Sequence, residues 1–133
     1  MIFGIGTDIV RIQRMADNLD RYGERFAARI LTESEMAVFR DSAQGPQFLA
    51  KRFAAKEAAA KALGTGFRDG LSLRDISVKN DGLGKPVLAF SERAQQTLQN
   101  QGVGAVHLSL SDESEYAIAY VVFENSAARS GNL

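Results

Sequence analysis

The chain of 133 residues has no cysteine, one histidine and two prolines, and its sixteen basic residues are cancelled by sixteen acidic ones. Each shortage removes a class of function. Without cysteine there is no disulfide framework and no thiolate metal site, which suits a reducing compartment. His107 has no second histidine to join it, so zinc chemistry lacks a ligand set. Balanced charge gives no bulk attraction to nucleic acid or an anionic membrane, so any anion recognition must be local. No run approaches ~18 apolar residues, and the opening MIFGIGTDIV lacks the basic segment and long apolar core of a secretory signal. A soluble, cytoplasmic protein is expected. Neither the P-loop pattern nor the G-x-S-x-G elbow of serine hydrolases occurs.

What is present is an ordinary globular composition, 45% hydrophobic and 24% charged, in a length that suits one domain with a real core. No repeat or linker divides it, so residues 1–124 read as one domain and 125–133 as a tail with little to bury. IFGIGTDIV reads as a strand whose glycines at 4 and 6 point to close approach of another backbone. A helix follows from about residue 11, with Ile12, Met15 and Leu19 on one face, and Gly23 interrupts it. Thr32 and Glu35 form a capping box that opens a short helix. The segment GPQFLAKRFAAKEAAAKALG carries Pro46 in a first helical turn, an Ala/Lys/Glu interior and Gly64 as a stop, which predicts a long helix. Strands near 74–79 and 86–90, a helix from Ser91 through Gln101, and two strands around a polar turn complete the chain. The first of those last strands alternates Val106, Leu108 and Leu110 with His107, Ser109 and Ser111. The sum is an α+β domain whose strands are mostly joined as hairpins.

The chemistry-bearing residues are few. A Glu four residues before a Lys, as in Glu57 and Lys61, is by itself a surface ion pair worth ~0.2–0.5 kcal/mol. Yet Phe53, Glu57 and Lys61 form one i, i+4, i+8 row that continues from an apolar stripe, and the surrounding alanines let neighbours pack close to the charges. Asp8, at the end of the first strand, is either a turn residue or a second carboxylate for a hard cation such as Mg²⁺. A spacing of 49 residues does not say whether Asp8 and Glu57 meet. The glycine segments around Gly64–Thr65–Gly66 and Gly84–Lys85–Pro86 are turn chemistry or phosphate-binding backbone. His107 and Ser109 are half-exposed strand residues or contacts to a phosphate or ribose. Arg11, Arg14, Arg21 and Arg25 lie on a basic stripe, either a solvated face or a dock for an acidic protein.

Together, GIGTDIVRI at 4–12, FLAKRFAAKEAAAKALGTG at 48–66, GLGKP at 82–86 and HLSLSDESEYAIA at 107–119 resemble the holo-[acyl-carrier-protein] synthases, the short bacterial type of 4′-phosphopantetheinyl transferase. The resemblance runs from residue 1 to about 124. It implies that family's fold, an antiparallel sheet packed with helices including one long Ala-rich helix. It also implies transfer of phosphopantetheine from coenzyme A to a serine of apo acyl carrier protein, as in fatty-acid synthesis, with release of adenosine 3′,5′-bisphosphate and a requirement for Mg²⁺. Carried over by residue, it makes Asp8 and Glu57 the metal ligands and Lys61 the group that binds the phosphates and assists the leaving bisphosphate. Glu57, directly or through a metal-bound water, becomes the base. Arg52, Lys61, Gly64, Thr65, Gly66, Gly84, Lys85, Pro86, His107 and Ser109 become the coenzyme A pocket. Arg14, Arg21, Arg25 and Phe26 become the carrier dock. Asp112 stands where many members carry a second histidine. A homotrimer with sites between subunits is implied as well. The alternatives are a catalytically silent nucleotide- or carrier-binding module and a purely structural trimer; the joint presence of Asp8, Glu57 and Lys61 favours the enzyme.

Overall fold

The computed structural model describes residues 1–68 and 71–127. The chain opens with β1 (Ile2–Arg11), then runs through helices α1 (Ile12–Tyr22), α2 (Glu24–Ile30), α3 (Glu33–Asp41) and α4 (Gly45–Leu63). A single 3₁₀ turn (Leu73–Asp75) leads into the hairpin β2 (Ile76–Asn80) and β3 (Pro86–Phe90), followed by α5 (Glu92–Gln101), β4 (Val103–Asp112) and β5 (Tyr116–Asn125). Most boundaries follow local chemistry. Gly23, at φ 67°, separates α1 from α2; Thr32 and Glu35 close a reciprocal capping box on α3; Gly64 and Gly102 end α4 and α5 in the left-handed conformation. The strand expected from residue 74 begins at Ile76 instead, because Asp75 folds back to accept from the Ser72 N–H and hydroxyl. Six residues of the tail, 128–133, lie outside the described residues.

Among the described residues, the strands divide between two antiparallel sheets, ordered β1-β5-β4 and β2-β3. The larger sheet has α4 laid across one face. Gly4, Gly6, Asp8 and Val10 of β1 alternate onto that face beside Val121, Ala119 and Ala117 of β5 and Leu108 and Leu110 of β4. The helix can lie close because both surfaces are stripped of side chains. Ala54, Ala55, Ala58, Ala59, Ala60 and Ala62 are each at most 3% exposed. A Cβ added to Gly4 would sit 2.0 Å from the Ala62 carbonyl oxygen, and one added to Gly6 would sit 2.0 Å from that of Ala58. The close approach expected of these two glycines is therefore to α4. It places Gly4 and Gly6, in the first half of β1, alongside the last turns of the helix.

The sheet's other face carries Ile5 (55% exposed), Ile9 (59%), Ile118 (42%) and Tyr120 (46%), an apolar surface that this chain does not cover. No helix of the described residues is long and apolar enough to cross a membrane.

Candidate active site at the seam of the first strand and the long helix

The glycine-to-alanine seam brings Asp8 to Lys61. The Lys61 ammonium donates to Asp8 Oδ1 at 2.9 Å and to the Thr7 carbonyl at 3.0 Å, joining residues 53 positions apart in the chain. The Asp8 side chain is mostly enclosed, 17% exposed, whereas that of Lys61 is 53% exposed, so the pair sits at the edge of the core with its cation facing out. Glu57, one turn before Lys61, is partly buried. Its pKa is raised, first by burial and then by the neighbouring Asp8 carboxylate, against the opposing pull of Lys61 and Arg14. A partly buried carboxylate whose ionisation is disfavoured, beside an Asp8–Lys61 pair at the core's edge, is a candidate site. The donor set fits a hard dication, which takes carboxylate oxygens and would relieve their repulsion. Among the described residues no group of three or more histidines, cysteines or acids is disposed to hold a metal.

Arg14 belongs to this neighbourhood. Its guanidinium lies 5.9 Å from the Phe53 ring centroid, on the row that continues to Glu57 and Lys61. The remaining basic residues are further along: Arg21 stacks on Tyr22, and Tyr22, Arg25, Phe26 and Arg29 line a depression of about 400 Å³. Arg29 completes that basic rim without having been singled out in the sequence; one turn after Arg25, it has the helical spacing that would have found it.

Other candidates are placed elsewhere in the chain. Gly64 and Gly66, both at positive φ, give their N–H groups to the Ala60 carbonyl, so two amides that the sequence offered to phosphate serve as the cap of α4. Thr65 lies between them, partly buried. Gly84, at φ 86°, and Lys85 form the tip of the β2–β3 hairpin with Pro86 opening β3, and Asp81 accepts the Lys85 and Leu83 amides there. Arg52 shares a face of α4 with Lys56, roughly opposite Lys61 at ~100° per residue. There its guanidinium lies 4.0 Å from the Phe48 ring centroid, and its buried Nε has no hydrogen-bond partner among the described residues. It faces a cavity of about 240 Å³ shared with Ser34, Lys79 and Asn80. Burial pushes the Arg52 pKa down, with Glu35 opposing. His107 and Ser109 pair across β5 with Val122 and Tyr120, on the uncovered face. They are therefore on the opposite side of the sheet from Asp8, and one chain does not bring them to Lys61. Asp112 forms a 3.8 Å ion pair with Lys51.

The model of the 4′-phosphopantetheinyl transferase superfamily matches residues 4–121 of this chain. The chain belongs to that superfamily. Among relatives within it, a protein of Vibrio parahaemolyticus named holo-[acyl-carrier-protein] synthase is 56% identical over 124 residues, 93% of this chain and 98% of the relative. The crystal structure of a holo-[acyl-carrier-protein] synthase from Neisseria meningitidis superposes with a TM-score of 0.90 at 46% identity, covering 94% of this chain and all of that one. A Bacillus anthracis synthase solved in complex with coenzyme A (3′,5′-ADP) gives 0.79 at 43% identity, over 95% and 99% of the two chains. The phosphopantetheinyl transferase fold is thus the fold of this chain.

One feature of this superfamily member escaped the sequence reading. Lys56, beside Glu57, is completely buried and ion-paired at 2.6 Å to Glu35, itself only 3% exposed. Burial pushes the Lys56 pKa down, while Glu35 pulls it back up. A signal was available: Lys56 stands seven residues from both Leu49 and Leu63, in the middle of an apolar heptad row.

Proposed function

We propose that this chain transfers the 4′-phosphopantetheine group of coenzyme A to a serine hydroxyl of an apo acyl carrier protein, leaving adenosine 3′,5′-bisphosphate. The observation that carries the reading is the convergence of Asp8, Glu57 and Lys61 where β1 crosses α4. The reaction forms a bond from the serine oxygen to the β-phosphorus and breaks the bond from that phosphorus to the bridging oxygen, whose electron pair leaves with the bisphosphate. Glu57, whose pKa burial and the neighbouring Asp8 raise, accepts the serine proton directly or through a water it holds. Lys61, largely exposed, turns its ammonium from Asp8 to the pyrophosphate and stabilises or protonates the departing oxygen. Asp8 and Glu57 would hold Mg²⁺. When bound, that ion neutralises charge on the attacked phosphate and orients it for in-line displacement.

The carrier docks on Arg14, Arg21, Arg25 and Phe26, where cations beside an apolar depression suit an acidic partner helix. The uncovered apolar face supports a homotrimer, in which His107 and Ser109 reach a neighbouring copy's Lys61. The working compartment is the cytoplasm, where coenzyme A and apo carriers meet. To test the reading, the protein is incubated with coenzyme A, Mg²⁺ and an apo carrier, and the carrier's intact mass is measured. A gain of one phosphopantetheinyl group, abolished by EDTA, is expected. No gain on any acidic carrier would leave a silent binding module.

A further inference from the structure

We infer that the buried Glu35–Lys56 ion pair is a positioning device for this reaction: it fixes the rotation of α4, and with it the placement of Glu57 and Lys61, and it locks that helix to β2. The inference rests on the transfer activity proposed above. Both residues act through the backbone they hold, not by touching substrate.

Helix α4 is anchored towards its two ends by buried Phe48, Leu49 and Leu63 and by the Lys61 hydrogen bonds, while its middle is nearly bare. Between residues 54 and 62 its buried surface is alanine apart from one long side chain, Lys56. Methyl groups make shallow ridges, and shallow ridges resist rotation and sliding weakly. Directional hydrogen bonds supply what the methyls lack. The Lys56 ammonium donates to the Ile30 carbonyl and to Glu35 Oε1, each at 2.6 Å. Glu35 Oε1 also accepts from the Thr32 N–H at 2.9 Å, and Oε2 accepts from the Val78 N–H at 2.8 Å. One ion pair therefore joins the end of α2, the start of α3, the middle of α4 and β2. A rotation of α4 that broke it would swing Glu57 and Lys61 away from Asp8, because each residue is ~100° from the next. The bond to Val78 reaches further, since β2 leads into the turn that carries Gly84, Lys85 and Pro86.

Stability is a poor explanation for the pair. A buried ion pair is commonly no more stabilising than apolar residues of similar volume, and its best-attested value is in fixing a unique arrangement. The two roles are separable by experiment. Lys56→Met, Glu35→Gln and the double variant are compared with the wild type by thermal unfolding, by kcat and KM for coenzyme A, and by Mg²⁺ titration followed through the amide NMR signals of β1 and α4. Assays are run where circular dichroism shows each protein folded. Each single variant lowers Tm by ~10 °C or more, since one member of a buried pair is left alone, and the double variant recovers to within ~5 °C of wild type. Positioning predicts that the double variant still turns over and binds Mg²⁺ about 10–100-fold less well. If turnover and Mg²⁺ affinity return to wild-type values along with Tm, the pair is structural only and the inference falls. Wild-type protein without transfer activity would count against the proposed function instead, and the Mg²⁺ titration, which uses the metal alone, would then decide the positioning role.

Discussion

Besides the longer Lys51–Asp112 contact, helix α4 carries two close lysine–carboxylate pairs five residues apart, and their environments set them to opposite tasks. Lys56–Glu35 is 0% and 3% exposed, closes at 2.6 Å and has its oxygens engaged by three partners. Lys61–Asp8 is 53% and 17% exposed, closes at 2.9 Å, and has Glu57 beside it as an additional charge. In the first, hydrogen bonds satisfy the groups and the geometry is fixed. The second has a solvent-facing cation that can exchange its carboxylate for a phosphate. Both join an ammonium to a carboxylate; depth and saturation separate them.

The comparison can be broken most severely at the seam that makes the open pair possible. Gly6→Ala puts a methyl 2.0 Å from the Ala58 carbonyl and 2.8 Å from the Ala62 nitrogen, both backbone atoms of α4. Separation of β1 from the helix is expected, with a loss of more than about 3 kcal/mol in urea unfolding and no transfer activity. Next in size is the contrast between the pairs themselves. Glu35→Ala, which strands a buried ammonium, costs about 3–5 kcal/mol. Lys61→Ala, at a largely exposed site, costs about 0–1 kcal/mol. Equal costs by urea unfolding would erase the distinction.

A third pair sharpens it. Asp75, 10% exposed, binds the Arg93 guanidinium at 2.5 Å and accepts from Ser91 and Ser72. Burial alone would raise its pKa, but the hydrogen bonds from Arg93, Ser91 and Ser72 prevail and bring it to about 2. Because the folded value lies below the unfolded one, the associated stability, about 2 kcal/mol, is present above roughly pH 4 and is lost as pH falls toward 2. Asp75→Asn should flatten the stability profile across that window. The smallest effect runs the other way. Ionising Glu57 is disfavoured in the fold, so Glu57→Gln should slightly raise Tm in EDTA while removing turnover, the signature of a site kept for function. A lower Tm would mean that Glu57 stabilises the metal-free fold.

Much of this was legible in the sequence. The long helix, its Gly64 stop, the Thr32–Glu35 box and the alternation of β4 all rest on local rules, and the structure follows them. The row Phe53–Glu57–Lys61 put two charges beside the apolar stripe, but the ion pair that Lys61 makes is with Asp8. The meeting of Asp8 with that row was not legible, because it depends on β1 lying against α4; only the glycines at 4 and 6 hinted at it. Glu35 and Lys56 were hidden for another reason. Each already had a sufficient local explanation, one as a cap and the other as a helix former, and pairing across 21 residues leaves no periodic trace. His107 and Ser109 show the converse: their alternation placed them correctly on the polar side of β4, but only the sheet order reveals that this side faces away from Asp8.

On the function proposed above, the β1–α4 seam performs phosphoryl transfer. Single-turnover transfer of phosphopantetheine to an apo carrier, measured across Mg²⁺ concentrations for wild type, Asp8→Asn and Glu57→Gln, tests it most directly. Both variants should remain folded by circular dichroism and lose at least ~100-fold in rate, with Mg²⁺ no longer restoring it. Wild-type rates and an unchanged Mg²⁺ dependence in both folded variants would contradict the claim.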